Sequence, residues 1–311
     1  MTRGLRTALI AVAVIAMAVV AVVLIARDDG GDGRGASAGA DQRSVHLGPR
    51  SEQGWMRSRP KPRSLIWAVG DAADDSSASR AVASMVSSHR VDRLIYLGDV
   101  YDTGTAQEFE ANYRPPYGAL GAVTAPTIGN HEWSNVASGY VPYWTGVRGT
   151  PPPLRYAFAV SGWQLISLNS NQPADAAQEA WLGREIRGTP GYGDCRIAFM
   201  HHPRYSAGLH GDLDALQGVF DELREHARIL LAGHDHDMQR LQPTDGITQY
   251  VDGAGGAELY PVNRDDPRLA FFDDSHHGAL RLLLRPGRAV LSFIAADGSL
   301  LDRSTVFCRR P

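Results

Sequence analysis

The sequence predicts an α/β fold, a two-sheet α/β/β/α sandwich with a β-rich C-terminal part. From residue 64 onward, short apolar runs typical of buried strands alternate with segments of helical periodicity. After residue 234 the helical segments stop and the strand patterns continue. The alternation predicts sheets covered by helices, and the change of pattern places additional strands at the end of the chain.

The first part of the chain alternates strictly. The spacing of Ala81, Met85 and Val86 indicates the apolar face of the first helix. Pro115 and Pro116 are expected to end the second helix, because proline lacks the backbone N–H donor. The predicted elements are strand 65–69, helix 77–89, strand 94–97, helix 105–113 and strand 122–128.

The second part opens with a predicted hairpin around Ser161-Gly162, a dipeptide typical of turns. Leu216, Val219 and Leu223 mark the apolar face of its last helix. The predicted elements are strands 156–160 and 163–168, helix 174–187, strand 196–200, helix 212–226, and strands 229–232, 247–251, 280–284, 289–294 and 305–307.

The N-terminus carries a membrane signal. Arg3 and Arg6 precede an uninterrupted apolar run over residues 8–26, which is long enough for a bilayer core of ~30 Å. We therefore expect residues 1–26 to form a signal anchor with a cytoplasmic N-terminus; a secretory peptide cleaved at Ala36-Ser37-Ala38 is the alternative. Residues 27–62, rich in Gly, Asp, Ser, Ala and Arg, predict a flexible linker. Either way, the domain formed by residues 63–311 lies outside the cytoplasm, membrane-anchored or secreted.

The net charge bears on the binding partner and the cysteine content on a disulfide. The formal net charge is −3 without a broad basic stripe, so nucleic acid is not an expected partner. The cysteines are Cys195 and Cys308 alone. In an oxidising compartment such a pair favours a disulfide, and two unpaired thiols are the alternative.

Five predicted strands end in residues that commonly ligate metals. The carboxyl ends of parallel strands meet at one edge of a sheet, so these residues are expected to converge. A convergent set of this kind predicts a two-metal site. The candidate positions are Asp71, Asp99, Asn130, His201, His234 and His236.

The types of ligand restrict the metal. Imidazole nitrogens suit Zn, Fe, Mn, Ni and Co, whereas Mg and Ca prefer cages made mainly of oxygen. Each motif alone has an ordinary alternative, since Gly-Asp is most often a turn and Asn-His a local hydrogen-bonding device. Their joint occurrence at strand ends favours the metal site.

With these motifs the chain resembles the calcineurin-like metallophosphoesterases, and within them the purple acid phosphatases. The resemblance covers residues 64–257 and is less specific beyond. It implies that Asp71, Asp99 and His236 hold one metal and that Asp99, Asn130, His201 and His234 hold the other. It also implies that His131, in the string Gly129–Glu132, lies near the phosphate and that His210 acts on the substrate side.

The chain departs from the family pattern at two positions. Ala73 stands where many members of the superfamily carry a histidine ligand. The purple acid phosphatases use instead a tyrosine three residues past the bridging aspartate, but here Tyr101 comes two residues past Asp99 and Asp102 occupies the third place. The remaining ligand is therefore Tyr101, Asp102 or water, and the alternative for Tyr101 is a packed core aromatic.

The resemblance implies hydrolysis of a small phosphorylated substrate, with phosphomonoesters favoured, by iron paired with iron, zinc or manganese. Ferric iron would hold Tyr101 as a phenolate. The metals would lower the pKa of a bound water, whose hydroxide attacks phosphorus in line. His131 and His210 are candidates for stabilising the transition state or protonating the leaving alkoxide. Glu132 either bonds a ligating histidine or is a plain loop carboxylate.

Other polar and aromatic residues are weaker candidates. Arg204 and Arg240 are candidates for contacting a phosphoryl substituent. Trp133, Tyr140, Tyr143 and Trp144 either wall the substrate cleft or pack locally under a long loop. His202 is expected to support the site without ligating. Besides a phosphomonoesterase, a phosphodiesterase and a membrane-tethered binding module without turnover remain open.

Overall fold

The computed structural model describes residues 55–58 and 61–309. The predicted membrane segment at residues 8–26, the cleavage site and most of the predicted linker lie outside the described residues. Within the described ranges, no helix is both long enough and apolar enough to cross a membrane.

The strands form two mixed sheets, as the alternating pattern predicts. In chain order they are β1 (Ser64–Val69), β2 (Arg93–Tyr96), β3 (Thr124–Pro126), β4 (Tyr156–Val160), β5 (Trp163–Ser167), β6 (Arg196–Phe199), β7 (Ile229–Ala232), β8 (Met238–Leu241), β9 (Thr248–Asp252), β10 (Leu269–Asp273), β11 (Gly278–Arg285), β12 (Arg288–Ala295) and β13 (Leu300–Phe307). The first sheet has the order β13-β12-β11-β1-β2-β3 and the second β10-β8-β9-β7-β6-β5-β4.

Parallel strands occupy the part of each sheet that bears the candidate residues. In the first sheet β1, β2 and β3 are parallel. In the second, β5, β6, β7 and β9 are parallel. The loops that follow β1, β2, β3, β6 and β7 carry the candidate ligands.

The helices lie on the outer faces of the sandwich. They are α1 (Ser77–Ser87), α2 (Ala106–Glu108), α3 (Arg114–Tyr117), α4 (Asn130–Trp133), α5 (Val141–Arg148), α6 (Ala176–Gly188) and α7 (Gln217–Leu223). Val82 and Val86 of α1 pack in one cluster with Trp67 of β1. Trp181 of α6 and Phe220 of α7 pack with Ile166 of β5. Between the sheets lies a core of inward-facing residues that includes Ile66, Leu165, Ile197, Leu231, Leu282 and Leu291.

Several predicted boundaries are wrong. Pro115 and Pro116 do not end a helix but occupy the first turn of α3, where the missing N–H donor has no partner to lose. Strand 122–128 shrinks to β3, because a 3-10 turn over Gly118–Val123 precedes it. Helix 212–226 is α7 alone, with a 3-10 turn before it. The pattern missed β8, whose two central residues are polar, and β10, whose residues are all only half-buried.

The cysteines form a disulfide, which confirms the first of the two alternatives. Cys195 and Cys308 have Cα atoms 5.0 Å apart and are bonded across 113 positions of sequence. Cys195 precedes β6 of the second sheet and Cys308 follows β13 of the first. The bridge therefore joins the two sheets covalently.

Candidate active site

Tight turns bring the candidate residues together at the strand ends. Asp71, Asp99 and His234 all have positive φ, at 57°, 67° and 72°, a conformation in which the backbone turns sharply after a strand. Gly98 makes the crowding possible, since a Cβ there would lie 2.7 Å from Nδ1 of His201. The loops can therefore approach closely enough for side chains from both sheets to meet.

The first group of side chains is called here the histidine pocket: Asp99, Asn130, His201 and His234. Nε2 of His201 lies 2.8 Å from Oδ1 of Asn130 and 3.2 Å from Nδ1 of His234. The same nitrogen lies 3.4 Å from Oδ2 of Asp99. The other ring nitrogen of His201, Nδ1, donates to the carbonyl oxygen of Leu97 at 2.8 Å. This bond fixes the ring and leaves Nε2 with a free electron pair.

The second group is called the tyrosine pocket: Asp71, Tyr101 and His236. The Tyr101 hydroxyl lies 3.0 Å from Oδ1 of Asp71 and 2.9 Å from Nε2 of His236. Nδ1 of His236 donates to the carbonyl oxygen of Glu258 at 2.8 Å, which turns its Nε2 inward, toward Tyr101 and Asp71. Asp71 and Asp99 lie between the pockets, with carboxylate oxygens within 4.8 Å of each other and of His201.

The structure places Tyr101, and not Asp102, against Asp71 and His236. Ala73 and Val100 form a parallel bridge, and the Tyr101 N–H donates to the Ala73 carbonyl at 2.9 Å. The loop after Asp99 thus runs along the loop after Asp71, which carries the Tyr101 ring over Asp71. Among the described residues, nothing forms a hydrogen bond or ion pair with the Asp102 carboxylate, which lines the cleft instead.

The donor chemistry of both pockets fits metal ions. Asp71 and Asp99 are 0 and 1 % exposed, and among the described residues no lysine or arginine pairs with either. In the histidine pocket, when the His201 ring is neutral and its N–H lies on Nδ1, the electron pair of Nε2 faces the oxygen atoms of Asn130 and Asp99. Such an arrangement is repulsive unless a cation occupies the centre. Carboxylate, amide and imidazole ligands together suit Fe, Zn or Mn.

Burial and mutual charge shift the pKa values of the candidate ligands. Burial raises the pKa of Asp71, but the hydrogen bond and charge of His236 outweigh it and hold that pKa well below its usual range. Burial and the neighbouring Asp71 raise the pKa of Asp99 in spite of His201. Burial lowers the pKa of His234 to about 2, with His201 adding to the effect. Burial also lowers the pKa of His236, but Asp71 outweighs it and raises the value to about 9.

A cleft of about 450 Å³ opens above the two pockets. Seven of the nine predicted residues line it, while Asp71 and His201 lie buried beneath. His131 has its Nε2 3.7 Å from Oδ2 of Asp99 and its Nδ1 2.5 Å from the carbonyl oxygen of Asp102. The His210 ring lies 4.2 Å from that of His234. The structure thus brings every predicted site residue to one place.

Sequence reasoning missed the residue that positions His210. Oδ1 of the buried Asp235 accepts from the backbone N–H and from Nδ1 of His210, at 2.8 and 3.0 Å. Its Oδ2 accepts from the hydroxyl of Ser206, which in turn accepts from Gln239. In the sequence, Asp235 stands between two candidate ligands, His234 and His236, and nothing local indicates its contact with His210. Asp74, Glu258 and Tyr260, which also line the cleft, carried no motif that would reveal them.

Glu132 does not bond a histidine. It is 1 % exposed, and its Oε2 accepts from the backbone N–H of Asp99 at 3.1 Å. Burial, together with the charge of Asp99, raises its pKa well above the usual range. Glu132 therefore holds the turn that presents Asp99, a role in which either protonation state leaves an acceptor oxygen.

Both arginine predictions are wrong. Arg204 pairs with Asp214 at 3.0 Å and Arg240 with Asp302 at 2.8 Å, and neither lines the cleft. The aromatic insert packs locally, since Tyr140, Tyr143 and Trp144 are buried in the cluster beneath α1 and α3. His202 supports the site through Ser170, whose hydroxyl lies 2.9 Å from its Nδ1.

The family assignment follows from a comparison with known proteins. A family model described as calcineurin-like phosphoesterase matches residues 61–238, more than half of the chain. The chain belongs to the calcineurin-like phosphoesterase family. This confirms the predicted membership of the superfamily. A search of curated proteins gave no match.

Several solved structures have a similar fold. GAP50, titled the anchor in the inner membrane complex of Plasmodium, superposes with a TM-score of 0.68 at 15 % identity, over 80 % of this chain and 90 % of that one. Purple acid phosphatase PPD1 from yellow lupin seeds gives 0.69 at 14 % identity, over 81 % of this chain and 55 % of the lupin chain. A dimetal phosphatase from Danio rerio gives 0.55 at 15 % identity, over 79 and 99 %. At these identities the likeness shows the fold alone.

Proposed function

We propose that the protein is a dinuclear metal-dependent phosphoester hydrolase, similar to the purple acid phosphatases and with phosphomonoesters favoured. The observation that carries the proposal is the convergence of nitrogen and oxygen ligand atoms from Asp99, Asn130 and His234 around His201 Nε2. Family membership supports the reaction class, because phosphoester hydrolysis is the chemistry for which the family is named.

Each pocket would hold one ion. The tyrosine pocket offers Asp71, Tyr101 and His236, and the histidine pocket offers the four residues around His201, with Asp99 between the two. When bound, iron with iron, zinc or manganese would supply Lewis-acid chemistry, neutralising phosphate oxygens and lowering the pKa of water. The chain itself fixes the ligands, through the bonds of Leu97 and Glu258 to the two histidine rings.

His131 and His210 are proposed to act on the substrate. Both line the cleft, and each has its Nδ1 engaged, by the Asp102 carbonyl oxygen and by Asp235. Their Nε2 atoms are therefore the ones that, in a doubly protonated ring, would donate to a phosphoryl oxygen or give a proton to the leaving alkoxide. Holding both rings from behind avoids reorganisation when charge develops.

The cleft favours monoesters by its charge. No arginine or lysine is among its lining residues, so the phosphate must be attracted by the metals and the histidines. A monoester dianion gains more from two adjacent cations than a diester monoanion does, since the Coulomb energy scales with the product of the charges. We therefore favour phosphomonoesters and keep phosphodiesters as the alternative substrate class.

Hydrolysis of p-nitrophenyl phosphate and of bis-p-nitrophenyl phosphate by metal-loaded protein tests the proposal. We expect faster turnover of the monoester, and a loss on the order of 100-fold in His131→Ala with metal content unchanged. Faster turnover of the diester would favour the phosphodiesterase.

The alternative function is a membrane-tethered binding module without turnover. The observation that favours it is the fold similarity to GAP50, whose title names it an anchor. Metal-loaded protein that hydrolyses neither p-nitrophenyl ester would support this alternative against the hydrolase.

We also propose that the domain is held outside the cytoplasm by the apolar run at residues 8–26. The disulfide supports an oxidising compartment. N-terminal sequencing of protein from the membrane fraction should return the intact N-terminus. A mature chain beginning after Ala38 in the soluble fraction would instead show secretion.

A further inference from the structure

The outer face of the first sheet is only partly covered by helices. Strand residues alternate between the two faces, and Leu280, Leu282 and Leu284 of β11 point into the core. The residues between them therefore point outward. Helical residues pack on this outer face as far as Ala279 and Ile294. Beyond that point lies what is called here the open face: Arg281, Leu283, Arg285, Arg288, Val290, Ser292, Arg303, Thr305 and Phe307.

Strand register arranges arginines in rows across the open face. Arg281 lies opposite Ser292, which lies opposite Arg303. Leu283, Val290 and Thr305 form the next row, and Arg285, Arg288 and Phe307 the third. Small and apolar side chains thus form a floor, while arginines stand on either side of it.

A recess of about 380 Å³ lies over this floor. Arg63, Arg90, Arg281 and Arg303 surround it, with Leu65, Leu283 and Val290 beneath. Asp92 is the one carboxylate among its lining residues. That carboxylate is already engaged, by Lys61 at 2.7 Å and Arg90 at 3.1 Å.

The arginines of the open face lack anionic partners within the described residues. No ion pair there involves Arg281, Arg285, Arg288 or Arg303, and none involves Arg63 in the described ranges. Elsewhere exposed arginines such as Arg80 contact a carboxylate, here Asp75 at 2.7 Å. On a chain with net charge −3, a cluster of uncompensated guanidinium groups indicates an anionic ligand. Guanidinium groups match phosphate geometry better than ammonium groups do.

Two further features indicate which anion. Phe307 is 67 % exposed and has the Arg288 guanidinium 5.9 Å from its ring centre, a pairing of aromatic and basic groups suited to a membrane interface. Arg63 directly precedes β1, where the chain arrives from the apolar run at residues 8–26. Residues 27–62 number 36, and a random-coil chain of that length has an end-to-end distance of roughly 30–36 Å. A bilayer crossed by the apolar run would therefore lie within reach of the open face.

We propose that the open face binds the anionic phospholipid headgroups of a membrane surface and holds the domain against the bilayer. This interaction is separate from the cleft and does not depend on phosphoester hydrolysis. Arginines near an anionic surface each contribute roughly five-fold to the binding constant. Their effect is lost at high salt, because screening shortens the range of the charges.

The test compares the full-length chain in two kinds of nanodisc, one of phosphatidylcholine and one containing about 30 % phosphatidylglycerol. Hydrogen exchange is followed in the β11–β12 turn and in β13, an edge strand. We expect exchange there to slow several-fold in the anionic nanodiscs and to recover at about 1 M salt. Equal exchange in the two nanodiscs would overturn the proposal.

Paired variants separate a specific face from net charge. Arg288→Gln/Arg303→Gln should weaken binding roughly 25-fold and abolish the protection. The matched control Arg184→Gln/Arg187→Gln removes the same charge from α6, which packs on the other sheet, and should leave protection intact. Arg288→Lys/Arg303→Lys should retain part of it, which excludes misfolding as the cause.

Three outcomes count against the membrane. Equal loss in the α6 control would show a net-charge effect. Protection that survives in the glutamine variant would place the contact elsewhere. Protection by inorganic phosphate with neutral nanodiscs would assign a small-anion site.

Discussion

The two pockets of the candidate site differ in how the protein satisfies them. In the tyrosine pocket, the Tyr101 hydroxyl carries a proton that hydrogen-bonds within the group formed with Asp71 and His236. In the histidine pocket, the N–H of a neutral His201 ring is committed to Leu97, so no proton lies between its Nε2 and the oxygen atoms of Asn130 and Asp99. A cation in the tyrosine pocket must therefore displace protons, whereas one in the histidine pocket fills a need that the protein leaves unmet.

The largest expected effect comes from breaking the histidine pocket. His201→Ala should lower hydrolysis on the order of 1,000-fold and remove one metal per chain, because several kcal/mol of charge stabilisation go with the ion. Elemental analysis and turnover of p-nitrophenyl phosphate measure both. The control is His226→Ala, at an exposed position that does not line the cleft, and it should keep both metals. Equal losses in the two variants would contradict the assignment.

The next largest effect is a pH dependence of Zn²⁺ binding, because protons compete with the metal for the histidine ligands. His236 has its pKa raised to about 9 by Asp71 against the opposing effect of burial, and His234 has its pKa lowered to about 2, chiefly by burial. Between pH 8 and pH 6 a metal must displace a proton from His236 but none from His234. Affinity of the tyrosine pocket should therefore fall about 100-fold over this range. Calorimetric titration at the two pH values should show one site weakening, and equal weakening of both sites would refute the contrast.

Tyr101→Phe sharpens the comparison with a smaller loss. It removes the hydroxyl from the tyrosine pocket and leaves the ring, so we expect hydrolysis to fall about 10- to 100-fold. In iron-loaded protein the phenolate-to-iron absorption band should vanish. A band that persists in this variant would exclude Tyr101 as the ligand.

Asp235→Ala should have the smallest effect of the four. Without the carboxylate, the His210 ring loses its partner at Nδ1, and we expect kcat to fall about tenfold with KM little changed. Asp235→Asn keeps an acceptor oxygen and should recover most of the rate. Loss of metal in both variants would contradict this role, since Asp235 would then be supporting His234 and His236 instead of His210.

The features of the site that depend only on neighbouring residues could be predicted from the sequence. Asp71, Asp99 and His201 each follow a short apolar run directly, so strand ends and ligands could be predicted together. Contacts between segments that are distant in sequence could not be predicted. The position of Tyr101 depends on the bridge between Ala73 and Val100, which no spacing within either loop reveals.

The same limit explains the errors. The prediction for Arg240 is wrong because its partner, Asp302, is 62 positions away in sequence. A local pattern does not reveal such a partner. The open face depends on register between β11, β12 and β13, so its arginines are scattered in sequence and form no basic run. The predicted helix end is wrong where prolines are accommodated in a first turn, as Pro115 is in α3.

The most direct test of the central claim is a metal titration of chelator-treated protein that follows binding and p-nitrophenyl phosphate hydrolysis together. If the two pockets form one dinuclear centre, binding should saturate at two ions per chain, and the rate should reach its maximum only when the second ion is bound. Full activity at one ion per chain, or none at any loading, would contradict the account.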